Sequence, residues 1–466
     1  MKVLAPLRRG PELPARRVDA DLVVLGVEVA LVAAAVAVGL LLNARGVGLH
    51  ADAAPLYASW RPHLGWGTPA ALLVAAGVLG RGVRWARTAG WGRLLVAGYL
   101  AAVAWTMSLA LVDGWSAGFT RRLTPQAEYL HEVPRVTDVT AMLAGFSARI
   151  LDFQPDSWST HTAGHPPGAL LVFVGLDRIG LGGPTAAALA CVLVGATVTV
   201  SVPVTLRALG AGQAARDVLP FLVLLPGAIW VGVSADGIFT GVVAAGLALL
   251  AVRALVAAAV GGLLLGFALY LSYGFVLVGV LALAVVALRP RDRWPVLLAA
   301  LAGAGTVVAT FTLAGFWWLD GYHLVVQRYH QGWAADRPYG YWVWANIAAL
   351  LLCVGPVLGT ALRRTALASA APAWTVAMRW RGPDRAGMIA LREAGPTVLL
   401  PLAAVLAVGA ADLSGLSKAE VERIWLPFVV WLLVAAAHLP PPAQRFWLAG
   451  QVVTALAVSH LLWTVS

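Results

Sequence analysis

Groups capable of chemistry fall in a few places along a very apolar chain. Asp113 ends an apolar run in "LALVDGWSAGFTRRL", and Asp236 lies between two such runs in "SADGIFTG". His161 and His165 lead into two prolines and a glycine in "STHTAGHPPGALLVFVGLDRIG", residues Ser159–Gly180. His323 and Arg328 sit in the aromatic stretch "FWWLDGYHLVVQRYHQGWAADRPYGYWVW", and "LSGLSKAEVERIWLPF" carries Lys418, Glu420, Glu422 and Arg423. A carboxylate at the mouth of a cavity can take a proton from a substrate hydroxyl. Arginine can hold a phosphate through paired hydrogen bonds, or Arg423 can pair with Glu420 three residues before it. The prolines Pro166 and Pro167 set a helix start at Gly168, whose free N–H groups and positive dipole end suit an anion. His161 and His165 are four apart and could hold a divalent metal, although residues before proline avoid helical geometry.

Plainer roles stand beside these. Asp113 can be a solvated helix end, at the cost of a carboxylate where a cation is favoured. Ser234 or Asp236 can cap the following helix. Tyr and Trp around His323 and Arg328 belong at membrane interfaces whatever else they do.

The elements that must position these groups follow from composition. The chain has 466 residues, 60% hydrophobic and 12% charged, with a mean hydropathy of +0.81. That balance excludes an ordinary soluble domain and specifies an all-α, polytopic integral membrane protein. The net charge of +11 comes from scattered arginines without a basic stripe, which argues against nucleic acid. Cys191 and Cys353 lie in separate apolar runs, so no disulfide framework or CxxC metal site arises.

Apolar runs predict thirteen spans, near 21–43, 64–80, 94–112, 184–207, 217–234, 238–254, 256–272, 274–288, 296–318, 341–362, 396–411, 424–440 and 447–464. Residues 1–20 form a basic tail, 21–80 an N-terminal hairpin, and 81–466 the main membrane domain. With a cytoplasmic N-terminus, 22 of the 33 basic residues fall on the cytoplasmic side, as the positive-inside rule requires. This holds only if residues 167–181 do not cross, since a span there would reverse every later loop. The Pro167 helix is therefore expected to lie at the outer interface. Two long outer loops result, 113–184 and 318–341. In the first, Val136, Val139, Leu143, Phe146 and Ile150 recur at helical spacing, and Thr124-Pro125 reads as an earlier helix start. These interfacial helices are expected to wall a cavity. The basic loop 363–396 reads as a cytoplasmic interfacial segment.

The acid at the end of an early span, the surface helices, the "HPPG" motif and the second-loop acid together resemble the GT-C membrane glycosyltransferases. The likeness is to the protein O-mannosyltransferase and aminoarabinose transferase branch, and covers roughly residues 94–290. It implies a polyprenyl-phosphate sugar donor and an outward-facing site in the plasma membrane. It makes Asp113 the catalytic base, places His165, Pro166, Pro167 and Gly168 beside the donor phosphate, and makes Asp236 the second-loop acid. His323, Arg328 and Arg423 are further candidates for donor phosphate or acceptor. The acceptor would be a cell-envelope glycan, lipid or protein, and the cofactor candidate is the divalent metal that His161 and His165 could hold. The chain departs from the pattern at Gly114, where the family often has a second acid, and at Gly168, where it often has leucine. The alternatives are a transporter or lipid flippase, which intramembrane charges and broken helices would favour, and a non-catalytic envelope-assembly protein.

Overall fold

The computed structural model describes residues 16–289, 292–379 and 394–464, with side chains described for 20–289, 292–369 and 394–464. The arginines at 291, 381, 385 and 392, and most of the basic tail, lie outside the described residues. Apart from one two-stranded ribbon, the described chain is all α.

Five described helices are long and apolar enough to cross a bilayer: Ala20–Ala44, Trp91–Ala110, Pro184–Ala208, Arg293–Leu313 and Pro396–Leu413. A sixth is reached if Tyr339–Val354 and Leu358–Ser369, bent by 94° at their junction, form one span. The expectation of thirteen full-length spans is therefore corrected. The runs near 238–288 and 424–440 become the shorter helices Ala235–Ala251, Leu255–Leu269, Tyr273–Ala287 and Leu426–His438. At ~1.5 Å per residue even seventeen residues reach only ~25 Å. The run 217–234 is broken where the helix Gly212–Val223 stops before Pro226. The last run, 447–464, falls on the helix Gln444–Leu461, which opens with Gln444 and Arg445 and buries Gln451 on the Val354 carbonyl, and on the strand Leu462–Thr464. Apolarity counts residues, while a continuous helix also needs backbone free of Gly and Pro interruptions.

We label the elements that carry polar groups α1 (Arg16–Ala44), β1 (Ala58–Trp60), α2 (Trp91–Ala110), α3 (Thr160–Gly164), α4 (Pro167–Arg178), α5 (Ala235–Ala251), α6 (Trp318–Gln331), α7 (Tyr339–Val354), α8 (Leu358–Arg379), α9 (Val421–Ile424) and β2 (Leu462–Thr464). α4 is a separate twelve-residue helix, far shorter than the ~20 residues a span needs. In the long loop, Asp138 caps the helix Val139–Gly145 through the Thr140 and Ala141 N–H groups. The start expected at Thr124 gives only short 3-10 turns, Tyr129–His131 and Val133–Arg135. The stretch after 363 is helical to Arg379, and residues 380–393 lie outside the described residues.

Asp21 binds Arg363 and Arg364, Arg87 binds Asp217, and Arg289 donates to the Leu250 and Val252 carbonyls that close α5. The 45–66 connector meets distant segments: β1 pairs antiparallel with β2, and the Tyr57 N–H reaches Glu422. Glu28, within α1, is buried, accepts the Gly359 N–H at the α7–α8 bend, and has no partner for Oε2 among the described residues.

Candidate active site

Four segments far apart in sequence bring five charged or titratable side chains into one buried network. Glu128 precedes the Tyr129 turn, His161 sits on α3, Asp236 opens α5, and Glu420 and Arg423 flank the start of α9. Arg423 donates through Nη1 to Asp236 at 3.2 Å and through Nη2 to Glu420 at 2.5 Å. The same Nη2 lies 3.2 Å from His161 Nε2, and His161 Nδ1 lies 2.8 Å from Glu128. Arginine has only donors, so His161 accepts at Nε2 and carries its proton on Nδ1. The imidazole therefore donates to Glu128 and fixes which way that carboxylate faces.

The network is acidic overall. Two carboxylates pair with Arg423 and a third, Glu128, pairs with His161, with Arg337 3.8 Å from Glu420 as a second cation. Burial alone would raise the Glu420 carboxyl, yet Arg423 beside it holds it below the ordinary carboxylate value. Arg423 Nε is buried and has no partner among the described residues, so one donor of the guanidinium is unspent. Capping is not the role of Asp236: the start of α5 has no side-chain cap, and Ser234 donates instead to the Trp230 carbonyl.

His165 stands next to this network without completing a metal site. Its Nδ1 meets the His161 carbonyl at 2.8 Å, while both His161 ring nitrogens face Glu128 and Arg423. Among the described residues no group of three or more His, Cys, Asp or Glu side chains is placed to hold a metal ion. Burial pushes the His165 imidazole down to about 4 from an ordinary 6.5. The unfolded chain then binds this proton first as pH falls, so the stability from the neutral ring is full above 6.5 and lost toward 4. Glu422, lifted to about 7 by burial, acts oppositely between 4.5 and 7, since its folded carboxyl is protonated first. The useful measurement is therefore a difference. The gap in thermal stability between wild type and His165→Asn should narrow from near pH 7 to near pH 5; a constant gap would contradict the buried neutral ring.

The proline-capped start of α4 is a packed joint. Pro166, Pro167 and Gly168 are buried, and a Cβ on Gly168 would stand 2.5 Å from the Tyr270 carbonyl oxygen. Its nearest neighbours are protein rather than an open anion cavity. Gly168→Ala should cost about 1–3 kcal/mol, read as a lower unfolding temperature in detergent. Behind the joint, Tyr129 stacks on Phe173 of α4 at 5.2 Å.

Asp113 belongs to a different cluster. His63 Nε2 meets its Oδ1 at 2.7 Å, and Arg122 donates to Oδ2 at 2.5 Å. Arg122 also donates to the Thr464 carbonyl on β2. The cavity beside Asp113 holds about 10 Å³ and is bordered by Gly232, Ser459 and Thr464, room for about one water. No hydrogen bond or ion pair among the described residues joins Asp113 to Arg423 or His161.

The loop candidates also separate. Arg328 is used structurally, donating to the Ile150 and Trp158 carbonyls and facing Asp152 at 3.3 Å. His323 lines an open groove beside Ser147 and Asp320. Sequence reasoning missed Glu128, His63 and Arg122. Glu128 carries no local signal, since its partner His161 is 33 residues away across an irregular loop.

Comparison of the chain with protein-family models, curated proteins and solved structures gives no match.

Proposed function

We propose that this chain is a membrane glycosyltransferase that moves a sugar from a polyprenyl-phosphate donor to a cell-envelope acceptor. The observation that supports it most is the buried Glu128–His161–Arg423–Asp236–Glu420 network beside the "HPPG" helix. Glu128, turned by His161, takes the proton of the acceptor hydroxyl. The acceptor oxygen bonds to the anomeric carbon as the bond from that carbon to the phosphate oxygen breaks. The electron pair leaves with the polyprenyl phosphate. Positive charge developing on the sugar ring faces Asp236 and Glu420, which are held in place before the reaction. Arg423 supplies the positive charge beside the leaving phosphate. His165, neutral at ordinary pH, adds no charge to that task.

Two assignments carried by resemblance change in this reading. The base moves from Asp113, whose two oxygens are already engaged, to Glu128. The phosphate contact moves from Pro166–Gly168 to Arg423, because the start of α4 is packed against Tyr270. The network faces the outer side of the plasma membrane. Support for this orientation is the resemblance, which implies an outward-facing site. The donor lipid reaches the site laterally from the bilayer. Deleting the gene should remove one sugar from an envelope glycan, lipid or protein. Wild type should restore it and Glu128→Gln should not; an unchanged envelope would refute the assignment.

One observation favours a transporter or flippase. The 94° bend between Tyr339–Val354 and Leu358–Ser369 lies beside the buried Glu28, an arrangement typical of ion and substrate pathways. Acceptor-independent movement of the donor lipid across proteoliposomes would establish that role.

A further inference from the structure

Outside the buried network, one groove presents polar groups that no neighbour uses. It holds about 440 Å³, and its lining includes Ser147, Leu151, Asp320, His323, Leu324 and Gln327. Positions 320, 323, 324 and 327 share one face of α6, and Ser147 and Leu151 form the opposite wall. The side chains of Ser147, Asp320, His323 and Gln327 form no hydrogen bond or ion pair with another described residue. Their neighbours on α6 are engaged. Arg328 donates to the Ile150 and Trp158 carbonyls, and Gln331 accepts the Asp152 N–H. These bonds hold α6 against the segment that leads into α3, and α3 itself packs on α6. The helix that walls the groove therefore packs on the element that carries His161.

The lining selects among ligands. A phosphate is disfavoured, since Asp320 faces the groove and neither lysine nor arginine lines it. A bare isoprenoid would strip four polar groups of water without replacing their hydrogen bonds. A sugar ring meets both demands: its hydroxyls bond to the carboxylate, imidazole, amide and hydroxyl, and its C–H face packs on Leu151 and Leu324. The volume falls in the ~300–1,000 Å³ range of small-molecule sites. We infer that this groove binds the saccharide end of the acceptor. The word acceptor rests on the glycosyltransferase reading; saccharide binding does not.

The test uses the full chain in nanodiscs without donor. Saturation-transfer NMR is run against a panel of free hexose and pentose disaccharides. At least one should bind the wild type, and Asp320→Asn with Gln327→Ala should weaken it about tenfold or more. Ala148→Trp, which fills the groove from its exposed rim, is a second variant with the same expected loss. Binding by no disaccharide, or undiminished binding in both variants, overturns the inference. Donor turnover on the same preparations separates the two claims. A protein that binds disaccharide through the groove yet never turns over donor retains the saccharide site and loses the enzymatic reading.

Discussion

Glu128→Gln should abolish sugar transfer while leaving the protein folded. The amide oxygen still accepts the His161 Nδ1–H, so the hydrogen bond that crosses the loop survives. What is lost is the ability to take a proton, and general-base catalysis contributes about a hundredfold to ten-thousandfold in rate. The loss should fall on kcat, with donor affinity little changed. Asp113→Asn is the informative companion. It disturbs a pairing with His63 and Arg122 at the ribbon formed by β1 and β2. Its effect should be about tenfold or less, of the size of one strained or lost charge-assisted hydrogen bond. A large loss in Asp113→Asn with near-normal Glu128→Gln would return the base to the residue that family resemblance selects.

The second large effect concerns Arg423. Arg423→Ala leaves Asp236 and Glu420 buried without their common cation, and breaking such a pair costs roughly 3–5 kcal/mol. This variant should accumulate poorly and unfold at markedly lower temperature. Adding Glu420→Gln removes one uncompensated charge and should recover part of the stability, a coupling that independent residues would not display. Arg423→Lys keeps the charge but cannot serve Asp236, Glu420 and a phosphate through a planar fork. It should fold, yet bind a polyprenyl phosphate about tenfold or more weakly. Wild-type donor affinity in Arg423→Lys would remove Arg423 from the phosphate role.

The sequence made the outline of this molecule readable and concealed its joints. Composition is enough for an all-helical chain with several spanning helices, because lipid demands apolar residues and internally bonded backbone. The arginine distribution also separates α4 from the spans, and the structure has it as a helix of twelve residues. The span count was not legible. Gly and Pro interruptions near Val223–Pro226 and Val354–Leu358 divide apolar runs into pieces too short to cross alone. At the site, Asp236, His161 and Arg423 were readable as polar exceptions in apolar surroundings, and the Glu420–Arg423 pair followed from i,i+3 spacing. Their convergence was not readable, since it depends on tertiary contacts spanning 187 residues between Asp236 and Arg423. Glu128 was hidden because its loop is built from 3-10 turns without a helical period. Asp113 read as catalytic because its location matches the family pattern. Its partners His63 and Arg122 come from irregular segments that carry no periodic signal.

The most direct measurement follows labelled sugar from a synthetic polyprenyl-phosphate donor in membranes that contain the wild type or Glu128→Gln. Transfer of label to an envelope acceptor, with release of polyprenyl phosphate, is expected for the wild type and should vanish in the variant. Wild-type membranes that never consume donor, or a Glu128→Gln protein that turns it over at the wild-type rate, would contradict the account.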